Sequence, residues 1–302
     1  MKTLNELIRF KMELLEQDEK VSTYKSYRTL LSYINSHYGD VDMTAVDCDF
    51  CRKLAADLKS EGKSPSTMRT YYAMLIAIFN YASYKGYTDN DFPFQKHSFE
   101  LDKVKRPKPR KRNDCFLTKE QMVSIYNLWL DLSDQYYVGL FMTSYFSNGA
   151  NLNDVFRFRW GKNPEIIQFQ RHKTKEKTDI LITVPIIPQL RNIFNEIASP
   201  YTNGSLLFPD APVDNEREFH KYITSINNKV TKSIRDIGPT LGLPENISTT
   251  WARHTFATVM HQSNVPYAYT EMSMGHTLEG VASHYIGNFS VEDAFKFNSN
   301  LL

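Results

Sequence analysis

Three cysteines in 302 residues are too few, and odd in number, to make a disulfide framework in a chain of this size. No apolar run approaches the roughly 18 residues that a membrane-spanning helix needs. The segment up to Leu15 mixes Lys2, Glu6, Arg9, Lys11 and Glu13 among apolar residues, which is an amphipathic helix pattern and not a secretory signal. A charge surplus is also missing. The 36 Lys and Arg against 34 Asp and Glu leave +2 with neutral histidines, so net charge alone points to no nucleic acid. Internal repeats and low-complexity tracts are absent, and no carboxylate cluster suggests a metal-dependent nuclease. With 41% hydrophobic and 13% aromatic residues, the chain is expected to bury a core of its own in the cytoplasm, with no membrane partner. Its length fits about two domains of roughly 150 residues.

The first hundred residues read as four helices. Leu4, Leu7, Ile8, Met12 and Leu15 recur at helical spacing. A second helix is expected from Ser22, taken as its N-cap, with Tyr24, Tyr27, Leu30, Leu31 and Ile34 on one face. A third runs from Asp47 to Lys59 and stops before Gly62. The fourth follows Ser64-Pro65-Ser66 and closes at Gly86. Short connections between them suggest a bundle. Cys48 and Cys51 form a lone Cys-x-x-Cys on the third helix. A structural zinc site needs four ligands, so packing cysteines are expected and no metal.

After the turn-like stretch from Asp89 to Pro93 the composition changes. Lys103, Lys105, Arg106, Lys108, Arg110, Lys111 and Arg112 make up seven of the ten residues 103–112, and Pro107 and Pro109 block a helix. This run is either a solvated tether or a strap along a phosphate backbone, where each neutralised phosphate releases counterions. On the bundle, Lys25, Arg28, Lys53 and Arg69 are candidate phosphate contacts or ordinary surface charges.

The second half opens with Thr118 and Gln121 in a capping-box pattern. Helices are expected from Ser133 to Ser147 and from Asn153 onward. Ile166, Ile167 and Phe169, a polar tip from Arg171 to Lys177, and Ile180, Ile182 and Val184 read as a β-hairpin. The remainder returns to helical periodicity. Within it stands Ser248-Thr249-Thr250-Trp251-Ala252-Arg253-His254-Thr255-Phe256-Ala257-Thr258, followed by Met274-Gly275-His276 and then Ser283-His284-Tyr285-Ile286. Singly, each of Arg253, His276 and Tyr285 is ambiguous, and Trp251 and Phe256 read as core. Together the three suit phosphoryl transfer: arginine binds two phosphate oxygens, tyrosine serves as a nucleophile and histidine handles a proton.

The order and spacing of these strings resemble the tyrosine recombinases, the phage-integrase family. Arg253-His254-Thr255-Phe256-Ala257-Thr258 resembles its Arg-His-Ser/Thr-Phe-Ala-Thr box. Met274-Gly275-His276 resembles its Leu-Gly-His box, and Tyr285 stands nine residues after His276, the family's interval to the nucleophile. Arg171-His172-Lys173-Thr174 resembles its Arg-x-Lys-Thr turn, although Lys175 and Lys177 share the same tip. The resemblance implies a mainly α fold. It comprises a helical-bundle, SAM-like core-binding domain over residues 1–100, a basic linker over 101–113, and a mixed, mostly helical catalytic domain with a small β-sheet over 114–302. The two domains would clamp double-stranded DNA. The core-binding helices would begin the chain without a separate arm-binding domain.

The implied reaction needs no metal and no nucleotide cofactor. The Tyr285 hydroxyl attacks a phosphate, leaving a 3′-phosphotyrosyl link and a free 5′-hydroxyl. Arg253 stabilises the phosphorane, Lys173 protonates the leaving oxygen and His276 bonds a phosphate oxygen. The implied partners are DNA sites synapsed by a tetramer, with a monomer or weak self-association in the absence of DNA, and in some systems a DNA-bending accessory protein. Two positions depart from the family pattern. Asn151 occupies the slot of its first arginine, and Thr250 the slot of the histidine three residues before Arg253. Asn-Gly-x-Asn and Trp-Ala-Arg-His-Thr resemble mobile-element integrases of Bacteroidota that lack this arginine. Losing one oxyanion donor costs roughly 3 kcal/mol, so Arg157 or Arg159 is expected to replace part of the charge. A degenerate relative that binds sites as a regulator, or a DNA-binding transcriptional regulator, are the alternatives. Phe295 and Phe297 in the tail after Asn288 would anchor a short helix, either on its own domain or on a neighbouring protomer.

Overall fold

The computed structural model describes residues 2–94, 115–278 and 289–302. Tyr285 and the basic run 103–112 therefore lie outside the described residues. The chain divides into two compact units, Met1–Lys111 and Arg112–Leu302.

The first unit is a bundle of α1 (Leu4–Gln17), α2 (Val21–Tyr38), α3 (Cys48–Ser60) and α4 (Pro65–Tyr84). Its helices start where their caps dictate. Thr3 and Glu6 close a capping box on α1, Asp47 accepts the N–H groups of Asp49 and Phe50, and Ser64 caps α4 ahead of Pro65. The α2 start differs from expectation. Ser22 lies inside the helix, and Lys20 holds the cap position without a side-chain bond. Glu19 takes a φ of 54° and the Lys20 N–H returns to the Leu15 carbonyl at 2.8 Å, so the end of α1 fixes where α2 begins. Leu7, Ile8, Leu30, Ile34, Leu54, Leu58, Leu75 and Ile78 fill the core. Cys51 is buried in it, and burial pushes its thiol up to about 12, while the Cys48 thiol approaches the Pro93 carbonyl at 3.9 Å.

The second unit is built around α6 (Tyr136–Phe146), whose residues from Val138 to Phe146 are all buried. A helix apolar all round has to lie in the interior. Each large side chain buried this way contributes roughly 1.5–3 kcal/mol. Around it stand α5 (Lys119–Leu130), opened by the expected capping box of Thr118 and Gln121, together with α8 (Pro188–Ile197), α9 (Glu216–Leu241) and α10 (Thr250–Gln262). The helix expected from Asn153 is a single turn, α7 (Leu152–Val155). Beyond it Phe156, Phe158 and Trp160 alternate inward, and Arg159 bridges Leu206, so an extended pairing displaces the helix.

The hairpin is present. β1 (Ile166–Phe169) pairs antiparallel with β2 (Ile182–Pro185), Phe169 opposite Ile182. Ile180 falls outside the strand because the tip coils into helical turns, with the Lys175 N–H on the Arg171 carbonyl at 2.9 Å and the Thr178 N–H on the Thr174 carbonyl at 3.0 Å. The chain continues through α11 (Tyr267–Ser273) and ends in α12 (Val291–Asn298), which a Ser290–Asp293 capping box opens. Of the two placements considered for this tail, the structure shows docking on its own domain. Leu301 is buried, its carbonyl takes the Tyr145 hydroxyl at 2.8 Å, and Asn298 bonds both Asn148 and Tyr269 at 2.8 Å. The described fold is thus mainly helical, with one two-stranded sheet among the described residues. No described helix is long and apolar enough to cross a membrane.

Candidate functional site

Arg253 sits one turn into α10 with Trp251, Ala252, Thr255 and Phe256 buried around it, so its backbone is fixed by the core. Its guanidinium is held by neutral acceptors. Nη1 donates to the Gly149 carbonyl at 2.9 Å, and Nη2 donates to the Met274 carbonyl and to His276 Nε2, each at 2.9 Å. Two glycines make this approach feasible. Gly149 has a φ of +65°, and a Cβ there would stand 3.0 Å from Arg253 Cα. Gly275 has a φ of +70°, and a Cβ would meet Arg171 Cδ at 2.6 Å and Ile182 Cδ1 at 2.7 Å. The Gly-His step at the end of α11 is therefore what lets the hairpin bring Arg171 against Gly275, the residue before His276.

His276 is bonded on both ring nitrogens. Its Nδ1 stands 2.9 Å from Glu271 Oε2, and its backbone N–H returns to the Glu271 carbonyl at 3.0 Å. An open cavity of about 660 Å³ beside it is lined by Gln168, Asp179, Thr183, Met272 and Phe289 among others.

Below Arg171 lies Asp154, 5% exposed. It accepts the His172 backbone N–H at 2.9 Å and stands 4.0 Å from Arg171 Nε, which has no hydrogen-bond acceptor among the described residues. Asp154 thereby ties α7 to the root of the lysine-bearing tip. Burial pushes its carboxyl above the usual range, against the pull of the His172 N–H, Arg171, His172 and Arg253. Burial also lowers Arg253 to about 10, helped by the charge of Arg171 and opposed by Asp154 and Glu271. Arg253 is still cationic at neutral pH.

The structure thus brings Arg253 and His276 together. Lys173, Lys175 and Lys177 are all exposed on the tip that Asp154 anchors. Asn151 is the N-cap residue of α7, but its side chain makes no cap bond. Thr250 is exposed at the first position of α10, and its hydroxyl pairs with Ser248 at 3.0 Å instead of reaching Arg253.

The expectation that Arg157 or Arg159 supplies the missing charge does not hold. Arg157 Nη2 donates to both carboxylate oxygens of Glu216 at 2.8 and 2.9 Å, Nη1 donates to the Val213 carbonyl, and the guanidinium lies 3.9 Å over the Phe219 ring. Arg159 faces out on an extended segment and donates to the Gly204 carbonyl. A period-2 backbone after α7 carries both away from Arg253. Among the described residues, the cation whose charge acts on Arg253 is Arg171. It stood in the sequence two residues before Lys173, and Asp154 stood three after Asn151. Neither spacing by itself marks a shared site.

In the first unit, Lys25 and Arg28 are exposed on α2 and Arg69 is half-buried on α4. Arg69 lines a groove of about 580 Å³ together with Ser22, Thr23, Ser26, Ser66 and Thr70, all from the first turns of α2 and α4. Lys53 lies 5.5 Å over the Tyr38 ring. The seven basic residues of 103–112 fall outside the described residues.

Residues 3–99 match the phage integrase SAM-like domain. Over nearly the whole chain the fold is similar to solved structures of integrases. One is a lambda integrase dimer bound to a COC′ core site, at a TM-score of 0.62 and 14% identity, covering 94% of this chain and 95% of that one. Another is the Tn1549 transposon integrase in complex with circular intermediate DNA, at a TM-score of 0.59 and 15% identity, covering 97% of this chain and 98% of that one. No curated protein matches the chain in sequence.

Proposed function

We propose that this chain is a tyrosine-type site-specific DNA recombinase, of use in integration, excision or inversion of a mobile element. The observation that carries the reading is the Arg253–His276 contact at 2.9 Å, built from two motifs 23 residues apart. An arginine whose fork rests on carbonyls and an imidazole, with no carboxylate in contact among the described residues, keeps its charge for a phosphate. The SAM-like match over residues 3–99 and the integrase fold over the rest support double-stranded DNA as the substrate.

In this reading Tyr285 attacks the scissile phosphate, forms the 3′-phosphotyrosyl bond and releases the 5′-oxygen. Lys173, on the exposed tip, protonates that oxygen. Arg253 and Arg171 stabilise the charge that builds on the phosphorane. Arg171, whose charge acts on Arg253, takes over from the absent arginine at Asn151. The basic residues of 103–112 with Lys25, Arg28 and Arg69 hold the DNA backbone. A tetramer on synapsed sites completes the exchange, with a DNA-bending accessory protein where the site requires one.

The test is covalent trapping on nicked DNA from the ends of the protein's own genetic element. A protease-sensitive, detergent-resistant adduct that Tyr285→Phe abolishes is the expected result. Sequence-specific binding without any adduct favours the second reading, a degenerate relative that regulates at recombination sites. That reading draws on Asn151 and on Thr250, whose hydroxyl is turned to Ser248.

A further inference from the structure

We infer that Glu216, at the start of α9, is a positioning residue for the acid Lys173, and that it holds the hairpin tip through His172. This rests on the recombinase reading above and deepens it.

A lysine is a point charge on a flexible stem, so it delivers a proton well only from a fixed root. His172 is that root, and two elements hold it. From α7, Asp154 accepts its backbone N–H at 2.9 Å. From α9, Glu216 Oε1 stands 3.2 Å from its ring Nε2. The first contact fixes the backbone and the second fixes where the side chain lies, so together they set the rotation of the tip. Both side chains are partly buried, at 29% and 25% exposure, which shields their contact from water. Glu216 is itself fixed by the helix start. It is the first residue of α9, which Asn215 caps by accepting the Glu218 N–H at 3.0 Å. Arg157 Nη2 donates to both of its oxygens.

The coiling of the tip sorts its lysines. The Lys175 N–H bonds the Arg171 carbonyl and the Thr178 N–H bonds the Thr174 carbonyl, so residues three and four apart share a face. Lys175 is three residues after His172 and lies on the Glu216 side. Its charge reaches the ring: burial lowers the His172 pKa, joined by Arg157 and Lys175 and opposed by Glu216 and Asp154. Lys173 follows His172 directly, about 100° round the turn and off the Glu216 face. Lys177 shares that second face, one turn further from the anchored root. Seating His172 against Glu216 therefore turns Lys173 outward.

The chemistry makes that placement matter. When the bond from phosphorus to the 5′-oxygen breaks, the electron pair stays on oxygen. The oxygen takes a proton from the Lys173 ammonium, which is left as a neutral amine. An alkoxide leaves poorly without that proton, so the rate depends on where Lys173 is held. A bridging 5′-sulfur leaves as a thiolate without an acid, and is indifferent to the tip.

The experiment measures single-turnover adduct formation on nicked DNA with oxygen or sulfur at the bridging 5′ position. The readout is the ratio of the sulfur rate to the oxygen rate, in which any loss of folded protein cancels. In Lys173→Ala the ratio should rise by at least about a hundredfold. In His172→Ala and in Glu216→Ala it should rise by about tenfold, because the acid is displaced but present. His172→Gln, whose amide reaches as far as Nε2 and can donate to Glu216, should return it close to wild type. Lys175→Ala should keep the wild-type ratio. The double variant His172→Ala/Lys173→Ala should show no higher ratio than Lys173→Ala alone.

A wild-type ratio in His172→Ala or Glu216→Ala overturns the positioning role. So does a raised ratio in Lys175→Ala, or a wild-type one in Lys173→Ala, since the acid would then be another residue. Ratios that multiply in the double variant overturn it too, because His172 would act apart from Lys173. Each of these results, with an adduct in the wild type, leaves the recombinase reading standing. No adduct from the wild type on either substrate counts against that reading and takes this role with it.

Discussion

Two arginine clusters lie in the second domain, and they are built in opposite ways. Arg157 is closed by a carboxylate. Glu216 takes two bonds from its Nη2, Phe219 covers its face, and His172 joins the same carboxylate at 3.2 Å. Arg253 is held by the carbonyls of Gly149 and Met274 and by an imidazole, and Arg171 beside it stands 4.0 Å from the Asp154 carboxylate. A guanidinium neutralised by a carboxylate has little left for a phosphate, whereas one propped by dipoles keeps its charge at the cost of desolvation. That cost shows in the lowering of Arg253 to about 10. Burial of an arginine does not mark a site; the nature of its acceptors does.

Substitutions can break this contrast. Arg253→Ala should reduce covalent adduct by roughly 10²–10³ on the trapping substrate, the loss expected for one oxyanion donor. A smaller loss than Arg157→Ala gives would reverse the assignment. Arg157→Ala should instead act on stability. It leaves Glu216 without its main partner, at a cost of about 2–3 kcal/mol read as a lower urea midpoint, while the folded fraction cleaves normally. Arg171→Ala is expected to cost about tenfold to a hundredfold in cleavage, with Arg171→Lys recovering part of it. Equal cleavage by Arg171→Ala and wild type would mean that its charge does not reach the phosphate.

Asp154 gives the smallest effect and sharpens the electrostatics. Burial raises its folded pKa above the unfolded value near 3.8, so the native state binds more protons than the unfolded state between those values. Its contribution to stability is most favourable below that window and declines as pH rises through it. Asp154→Asn should lack this decline, so wild-type stability should fall relative to the variant from about pH 4 upward. Parallel urea midpoints across that range would show that Arg171, Arg253 and the His172 N–H fully offset the burial.

The tail shows a limit on reading a sequence. Phe295 and Phe297 announced a helix after residue 290, and α12 is there. Which surface it covers was not legible, because an apolar face is the same whether it docks in cis or in trans. The answer came from Asn298 and Leu301, which reach Asn148 and Tyr145, residues 150 and 156 positions earlier. Deleting 290–302 therefore strips buried contacts from this domain as well as any contact with a second protomer.

The sequence by itself determined the bundle, the hairpin and most helix starts, because caps, helical periodicity and strand alternation are local. Thr118 with Gln121, Asp47 and Ser64 act within three residues, and the structure uses each as its pattern implies. It also pointed to Arg253 and His276 together, through strings whose order and spacing are specific, and the structure brings the two to 2.9 Å. Three things were decided only by the tertiary structure. One is the short α7, where pairing with the segment at Leu206 overrides a helical start. Another is that Arg171, and not Arg157 or Arg159, lies beside Arg253, in a hairpin that Gly275 allows to close. The third is the tautomer of His276, fixed by Glu271 on one side and Arg253 on the other. Each depends on residues far apart in sequence meeting at hydrogen-bond distance, and no local pattern carries that distance.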